Sequence, residues 1–462
     1  MGMMRKPAGC MGPLEIAAAR PRPMREAADA PLALAREAMV ATGQWHPLQS
    51  MGRRWAMGCV ALEITQRCNL DCTLCYLSDH SEAVKDLPLA EILRRVDAIA
   101  HQYGPNTEVQ ITGGDPTLRD RAELVAIVRH VRGRGLLPNL FTNGIKATRS
   151  LLTELAAAGL ADVAFHVDTT QERKGFTNEA SLNPLREEYI ARARGLGLGI
   201  VFNTTVHDGN LAEISDVAAF FVRHANAVRL ASFQLQADTG RGTAGGSEGG
   251  VSIDRVAERI QRGAGARIAF DTPLAGHSDC NRHALVLVSG GAVLDLYDDK
   301  PVMAALLAGT ADAKFERMGR ARGIGAFAAR LLRQPRLAAT LLPWVARKAW
   351  SFRQALWLGR GRVERLSFFI HDFMDARSLD RCRIEACIFM LQTAEGPISM
   401  CLHNAKRDDF ILAPLRIAGE AAPWNPLTGR FDGAAVTAPV LTPKNARGRV
   451  RISRVARKGM HP

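Results

Sequence analysis

The chain has 462 residues, 47% of them hydrophobic, 23% charged and 6% aromatic, which excludes a disordered chain, a collagen-like repeat and a small disulfide scaffold. Lys and Arg number 60 against 46 Asp and Glu, a formal charge of +14, and such an excess points to basic tails, a polyanionic partner or a membrane surface. Thirteen of the basic residues fall between Lys314 and Arg365, where Glu316 and Glu364 are the only acidic ones, so most of the imbalance is local.

Residues 1–50 are rich in Ala, Pro and Arg, lack the apolar run of a signal peptide, and are expected as a loose N-terminal extension. No later stretch offers the roughly eighteen uncharged apolar residues of a membrane span. Residues 51–300 carry the next unit. Within it, short β-rich runs at 60–65, 108–112, 137–142, 162–168, 199–206 and 228–236 alternate with helical patterns at 89–103, 121–134, 148–158, 184–195 and 211–224. That alternation predicts βα units around a parallel sheet.

Neighbouring residues on a strand point to opposite faces. Val109 and Ile111 oppose Glu108, Gln110 and Thr112; Phe165 and Val167 oppose His166 and Asp168; Phe233 and Leu235 oppose Ser232, Gln234 and Gln236. A sheet sandwiched between two helical layers would be apolar on both faces. One apolar and one polar face therefore predict a curled sheet, a partial (β/α)6 parallel barrel in the α/β class. Its polar interior either bonds to itself or surrounds a ligand.

A Gly-rich connection at 237–250, a helix at 253–263 and a hairpin at 284–297 come next. Residues 301–366 form a basic helical region, broken at Pro335 and Pro343 and containing Trp344, Trp350 and Trp357. Residues 367–415 form a compact Cys-containing module and 416–462 a C-terminal tail, basic from Pro443 onward.

The nine cysteines, an odd count without a secretory leader, read as reduced thiols of a cytoplasmic protein. Cys68, Cys72 and Cys75 come after the first strand in CNLDCTLCY, a spacing that lets three thiolates converge on one centre. A structural zinc site wants four protein ligands, whereas an iron-sulfur cluster held by three cysteines leaves one iron open. The position at a strand's C-terminal end, where barrel active sites form, favours the open cluster over a zinc-stabilised barrel. Gly113, Gly114, Asp115 and Pro116 come after the second strand; glycines permit close backbone approach and a carboxylate can receive an ammonium group. Taken alone, that tetrapeptide also reads as a turn.

The triplet resembles the CxxxCxΦC motif of the radical S-adenosylmethionine (SAM) superfamily, with Leu74 at the usually aromatic Φ position and Tyr76 beside it. Gly113 to Pro116 resemble that family's GGEP motif, with Asp115 in place of Glu. The resemblance implies that Cys68, Cys72 and Cys75 hold a 4Fe-4S cluster. It further implies that Tyr76, Gly113, Gly114, Asp115, Pro116, Thr142, Asn143, His166, Asp168 and Asn203 lie where the family contacts SAM. The activity it implies is that of an enzyme that reductively cleaves SAM to a 5′-deoxyadenosyl radical and abstracts hydrogen from an unactivated C–H, with flavodoxin or ferredoxin as electron donor.

Cys280, in GHSDCNR, and Cys382, Cys387 and Cys401 make a complete set for an auxiliary 4Fe-4S cluster or an all-cysteine zinc site, with inert buried thiols as the alternative. His403 is a spare ligand or a pocket histidine. Residues 367–408 resemble the radical SAM branch that includes archaeal tetraether lipid synthases and the methanogen pterin-methylating enzyme, although the N-terminal CxxC module of those relatives is absent. That resemblance implies C–C bond formation or methylation on a lipid-like or small hydrophobic substrate. Modification of a ribosomal peptide is the alternative, and a metal-stabilised binding protein the non-enzymatic one. The Arg- and Trp-bearing stretch reads as a packing lid or as a peripheral contact with an anionic membrane. No recognised reader motif accompanies it, so nucleic acid is not an expected partner.

Overall fold

A computed structural model describes residues 9–24, 30–241, 250–313 and 320–432. The basic tail from Pro443 onward, the first residues of the extension and the middle of the Gly-rich connection lie outside the described residues. Two short helices come first, α1 (Pro13–Ala18) and α2 (Pro31–Ala41). The alternating unit then runs β1 (Cys59–Thr65), α3 (Leu89–Tyr103), β2 (Glu108–Gly113), α4 (Arg121–Gly133), β3 (Leu137–Thr142), α5 (Arg149–Ala157), β4 (Asp162–His166), α6 (Asn183–Ala193), β5 (Gly199–Val206), α7 (Ile214–Arg223) and β6 (Val228–Leu235).

Local chemistry sets these boundaries. The Asp120 and Thr148 side chains accept from the Glu123 and Leu151 N–H groups and so start α4 and α5, while Gly104, at φ 77°, stops α3. Parallel strands cannot be joined by tight turns, and the intervening helices supply the crossovers, so β1 to β6 lie side by side in chain order. The apolar face of each strand packs on the helices: Val60, Leu62, Ile111, Val163, Phe165, Phe202 and Phe233 share one core with Ile92, Val96, Ile127 and Phe221. Ring centroids of 5.7 Å between Phe165 and Phe202 and 5.3 Å between Phe202 and Phe221 tie β4, β5 and α7 together.

The remainder runs α8 (Ile253–Ala264), β7 (Asn281–Ser289), β8 (Ala292–Asp295), α9 (Lys300–Gly309), α10 (Arg320–Arg333), α11 (Pro335–Ser351), α12 (Arg353–Leu358), β9 (Glu364–Asp372), α13 (Arg381–Glu385), β10 (Phe389–Gln392), β11 (Pro397–Ser399), α14 (Met400–Ala405) and α15 (Asp408–Ile411). The expected hairpin is β7–β8, turned by Gly290 and Gly291 at φ 53° and 81°.

Three features depart from the sequence reading. First, residues 367–415, expected as a compact module, are built into the sheet itself. β9 pairs parallel with β6 and β10 pairs parallel with β1, giving one eleven-stranded sheet in the order β11-β10-β1-β2-β3-β4-β5-β6-β9-β7-β8. One C-terminal segment thus covers both exposed edges of the six-stranded sheet, and residues 373–388 pass between them. Second, the N-terminal extension is docked along its described residues: Lys406 Nζ donates to the Ala17 carbonyl at 2.7 Å, and Arg22 donates to the Ile384 and Glu385 carbonyls at 3.1 Å. Third, Pro343 sits inside α11 without ending it; it is exposed, so the carbonyl its missing N–H leaves unpaired can turn to water. Among the described residues no helix is long and apolar enough to cross a membrane.

Candidate functional site

A large cavity opens at the C-terminal ends of the strands. Its wall takes residues from β2 (Gln110, Thr112), β3 (Phe141, Thr142), β4 (His166), β5 (Asn203, Thr205) and β6 (Gln234) as well as Phe389 of β10, so the sheet curls around it. The polar strand faces are the cavity lining.

Cys68, Cys72 and Cys75 all line this cavity, half-buried, on the loop that leaves β1. That loop is pinned from several sides. The Thr73 N–H donates to the Thr170 carbonyl at 2.8 Å, Tyr76 Oη donates to the Gly113 carbonyl at 2.6 Å, and Arg67 pairs with Asp86 at 2.5 Å. Burial and the neighbouring thiols push Cys72 well above the usual thiol range and Cys68 up to about 11. Thiols that resist ionisation on their own, as Cys68 and Cys72 do, are ligands whose charge a metal centre would offset; among the described residues no three Cys, His, Asp or Glu side chains are gathered as a formed metal site.

The two glycines after β2 serve the chain as well as any ligand. A Cβ on Gly113 would stand 2.0 Å from the Thr65 carbonyl oxygen, and one on Gly114 2.0 Å from that of Arg67. The loop after β2 therefore runs directly beneath the thiol loop, joined to it by Gly114 N–H to Thr65 O at 2.9 Å and Asp115 N–H to Arg67 O at 2.8 Å.

Asp115 and Pro116 are absent from the cavity lining. Asp115 is 1% exposed, and its carboxylate accepts from Thr117 N–H at 2.9 Å, Thr142 Oγ1 at 2.9 Å and Asn143 N–H at 2.9 Å, while Pro116 opens the short helical turn that Asp115 caps. The carboxylate expected to receive an ammonium group is turned instead into a brace between the loops after β2 and β3. Asp is one methylene shorter than Glu, and its lone pairs are used close to its own backbone. What faces the cavity is the braced main chain with Thr142 and Asn143, whose Nδ2 donates to Asn69 Oδ1 at 2.6 Å.

His166 lines the cavity and Asp168 stands behind it. Asp168 Oδ2 lies 2.5 Å from His166 Nε2 and accepts from the Thr205 N–H at 2.7 Å. Burial works against the charged imidazole, but Asp168 outweighs it and raises His166 above the ordinary histidine value, while Asp168 is held well below the carboxylate range. Asn203, in register with His166, and Tyr76 complete the sequence-predicted lining.

Arg241 was not foreseen. It lies in the Gly-rich connection, yet it is 9% exposed, donates to the Leu70 carbonyl at 3.2 Å and to Cys75, and stands 3.6 Å from Asp71 and from Glu82. Gly240, at φ 56°, allows the approach, since a Cβ there would lie 2.4 Å from the Tyr76 backbone. A lone Arg among glycines gave no sequence signal of this.

Residues 62–221 match the Radical SAM superfamily. The chain carries a radical SAM domain. Over 186 residues, 39% of this chain and 36% of the relative, it is 27% identical to the 7,8-dihydro-6-hydroxymethylpterin dimethyltransferase of Methanocaldococcus jannaschii. Over 161 residues, 34% of this chain and 41% of the relative, it is 32% identical to the PqqA peptide cyclase of Bradyrhizobium diazoefficiens. It thus spans about two-fifths of those relatives. The crystal structure of Streptococcus suis SuiB aligns with a TM-score of 0.35 at 15% identity, over 44% of this chain and 46% of that one. Radical SAM domains use a 4Fe-4S cluster and SAM, and three thiols of one loop lining a large cavity of mixed polar and apolar wall suit both.

Outside the radical SAM domain's own segment, a second, much smaller cavity lies where residues 373–388 cross between the sheet's ends. Cys280, Cys387 and Cys401 line it together with His277, His371 and Arg383. Cys382 is not brought in: on α13 its thiol points away and donates to the Thr42 carbonyl at 3.8 Å. Arg383 Nε donates to Cys280 Sγ at 3.2 Å, and the Met374 N–H donates to Cys401 Sγ at 3.5 Å. Burial pushes Cys280 up to about 11, and burial holds His371 near 3, with Arg383 adding to the effect. His403 lines neither cavity; it is buried on Phe410 with ring centroids 5.0 Å apart. Phe373, Phe389 and Met400 line both cavities and form the wall between them.

A buried ion pair fastens this arrangement. Glu63 on β1 and Arg407 meet at 2.7 Å, each side chain under 10% exposed, and Arg407 stacks 4.7 Å over the Tyr76 ring. Burial alone would raise Glu63, but Arg407 prevails and holds it below the usual carboxylate value.

Proposed function

We propose that this protein is a radical SAM enzyme acting on a lipid-like or small hydrophobic substrate, forming a C–C bond or adding a methyl group. The observation that supports it most is the convergence of Cys68, Cys72 and Cys75 with a glycine-braced loop on one curled-sheet cavity. In this reading the three thiolates hold the cluster, and Gly113, Gly114, Thr142, Asn143, His166 and Asn203 hold SAM. Bound there, cluster and SAM supply one-electron cleavage of the sulfonium and a carbon radical able to take hydrogen from an unactivated C–H.

The chain's own residues bind, orient and seal. Asp115 fixes the two loops that present main-chain groups to the cavity. With the Nε2–H of His166 given to Asp168, Nδ1 is the ring nitrogen left for a bound ligand, an acceptor in the neutral ring and a donor to an oxygen or carboxylate once the ring is protonated. Leu70, Leu74, Phe141, Phe373, Phe389 and Met400 give the cavity an apolar share that suits a hydrocarbon and excludes water. Cys280, Cys387 and Cys401 hold an auxiliary centre behind the Phe373–Phe389–Met400 wall, with a histidine of that cavity in place of Cys382. A flavodoxin or ferredoxin in the cytoplasm delivers the electron.

The test is anaerobic reconstitution with iron and sulfide, then SAM and dithionite, with 5′-deoxyadenosine as readout. Formation that disappears in Cys68→Ala, Cys72→Ala and Cys75→Ala is expected; no formation in wild type would favour a metal-stabilised binding protein. Incubation with extracted lipids and mass spectrometry then addresses the substrate. The similarity to PqqA peptide cyclases favours a second reading, a peptide substrate, which altered peptides and unaltered lipids would select.

A further inference from the structure

Of the eleven large hydrophobic side chains exposed among the described residues, seven lie between Ile324 and Leu358. Trp350 is 70% exposed and Trp357 77%, both far beyond what a packing lid would leave in water. We propose that α10, α11 and α12 form a docking surface for an anionic lipid bilayer.

α11 shows why the exposure is not incidental. One seam, Leu337, Leu341 and Trp344, packs on Val302 and Met303 of α9 and fixes the helix to the body. A second seam, Leu342, Val345, Ala346 and Ala349, has the i, i+3, i+4, i+7 spacing of an apolar helical face, and it points to solvent. A helix with one apolar face satisfied and another left open is built for a second apolar neighbour.

The charge pattern says which. α10, α11 and α12 contain no Asp or Glu. The acidic residues that meet them, Asp312, Asp299 and Asp298, sit at the base and pair with Arg330, Arg347 and Lys348. Arg333, Arg336 and Arg353 remain exposed around the apolar seam, and Arg353 lies 4.3 Å over the Trp350 ring. Indoles beside guanidiniums, with leucines and valines between them, match the headgroup level of an anionic bilayer, where the apolar seam enters the acyl boundary and the cations reach phosphates. A second copy of the chain cannot complement this face with the same face, because two acid-free basic surfaces repel. A nucleic-acid duplex would satisfy the cations but leave Leu342 and Val345 wet.

The surface deepens the lipid reading of the cavity by naming a source of substrate, but its test uses no enzymatic readout, so either can fail without the other. The full-length protein is co-sedimented with vesicles of phosphatidylcholine alone and with vesicles containing phosphatidylglycerol, at about 50 and about 500 mM salt. Sedimentation with the anionic vesicles only, a tryptophan emission blue-shift, and weakening by about tenfold or more in high salt are expected. The same loss is expected in Trp350→Ala/Trp357→Ala and in Arg333→Glu/Arg336→Glu, surface variants whose circular dichroism and melting should match wild type. Absence of vesicle binding at low salt, or undiminished binding by both variants, overturns the proposal. So does a dimer that the tryptophan variant dissociates, or salt-sensitive binding to duplex DNA or RNA without binding to vesicles.

Discussion

The two thiol-lined cavities stand back to back on one wall of Phe373, Phe389 and Met400, yet they are built in opposite ways. The first takes its three cysteines from a single loop of eight residues and its polar lining from the ends of consecutive strands, so neighbours in space are near-neighbours in the βα order. The second takes Cys280 from before β7, Cys387 from before β10 and Cys401 from α14, brought together only because the chain returns to both ends of the sheet. The first is roomy, with polar strand ends and apolar side chains sharing its wall; the second is small, with an arginine and two histidines against its thiols. A site meant to exchange ligands needs space and hydrogen-bonding groups at its mouth, whereas a site meant to hold one centre in place needs neither.

That contrast can be broken most decisively at the cysteines. Cys72→Ala should reduce 5′-deoxyadenosine formation to background and remove about four irons per chain, while Cys387→Ala should leave SAM cleavage measurable and remove only the second centre's iron. Iron and sulfide analysis with electron paramagnetic resonance reads both; equal loss of cleavage in the two variants would mean the cavities do not act separately. Next is the fastening of one to the other. Arg407→Met leaves Glu63 buried without its cation, and urea unfolding should show a loss of about 3–5 kcal/mol, with Glu63→Gln/Arg407→Met recovering much of it. A loss below about 1 kcal/mol would show that the C-terminal segment is held by its strand pairing alone.

Smaller still is the effect of Arg241→Gln, which removes a cation from beside Cys75 without touching the ligand set. Cluster retention against a chelator should fall about tenfold, with the other cavity's iron unchanged.

The least effect per step, and the one that most sharply separates the cavities, is the dependence on pH, because their histidines are displaced in opposite directions. His166 is raised by Asp168, so its contribution is fully present below about pH 6.5 and is lost as pH rises through its folded value. His371 is held near 3, so its contribution is present above about pH 6.5 and is lost as pH falls toward 3, by at most about 1.4 kcal/mol per unit. Urea titrations from pH 5 to 8 should therefore show His166→Gln costing most at the acid end, and His371→Gln flattening the acid-side decline of wild type. Parallel pH profiles for wild type and both variants would contradict the assigned environments.

The sequence by itself determined the six alternating strands, the apolar and polar faces that curl the sheet, and the thiol loop at the end of β1. All of these are encoded in residues close together in the chain: parity within a strand, caps at the start of a helix, cysteines three and four apart. Only the tertiary structure decided that the C-terminal segment closes both ends of the sheet, that Cys382 stays away while a histidine-bearing wall joins Cys280, Cys387 and Cys401, that Asp115 braces loops instead of facing the cavity, and that Arg241 reaches Cys75. Those outcomes depend on which partner each edge, carboxylate or guanidinium finds outside its own element, from under thirty residues away for Asp115 to more than a hundred for Arg241 and the C-terminal strands. Local propensity and spacing carry no term for that competition, which is settled when backbone edges pair and buried charges meet.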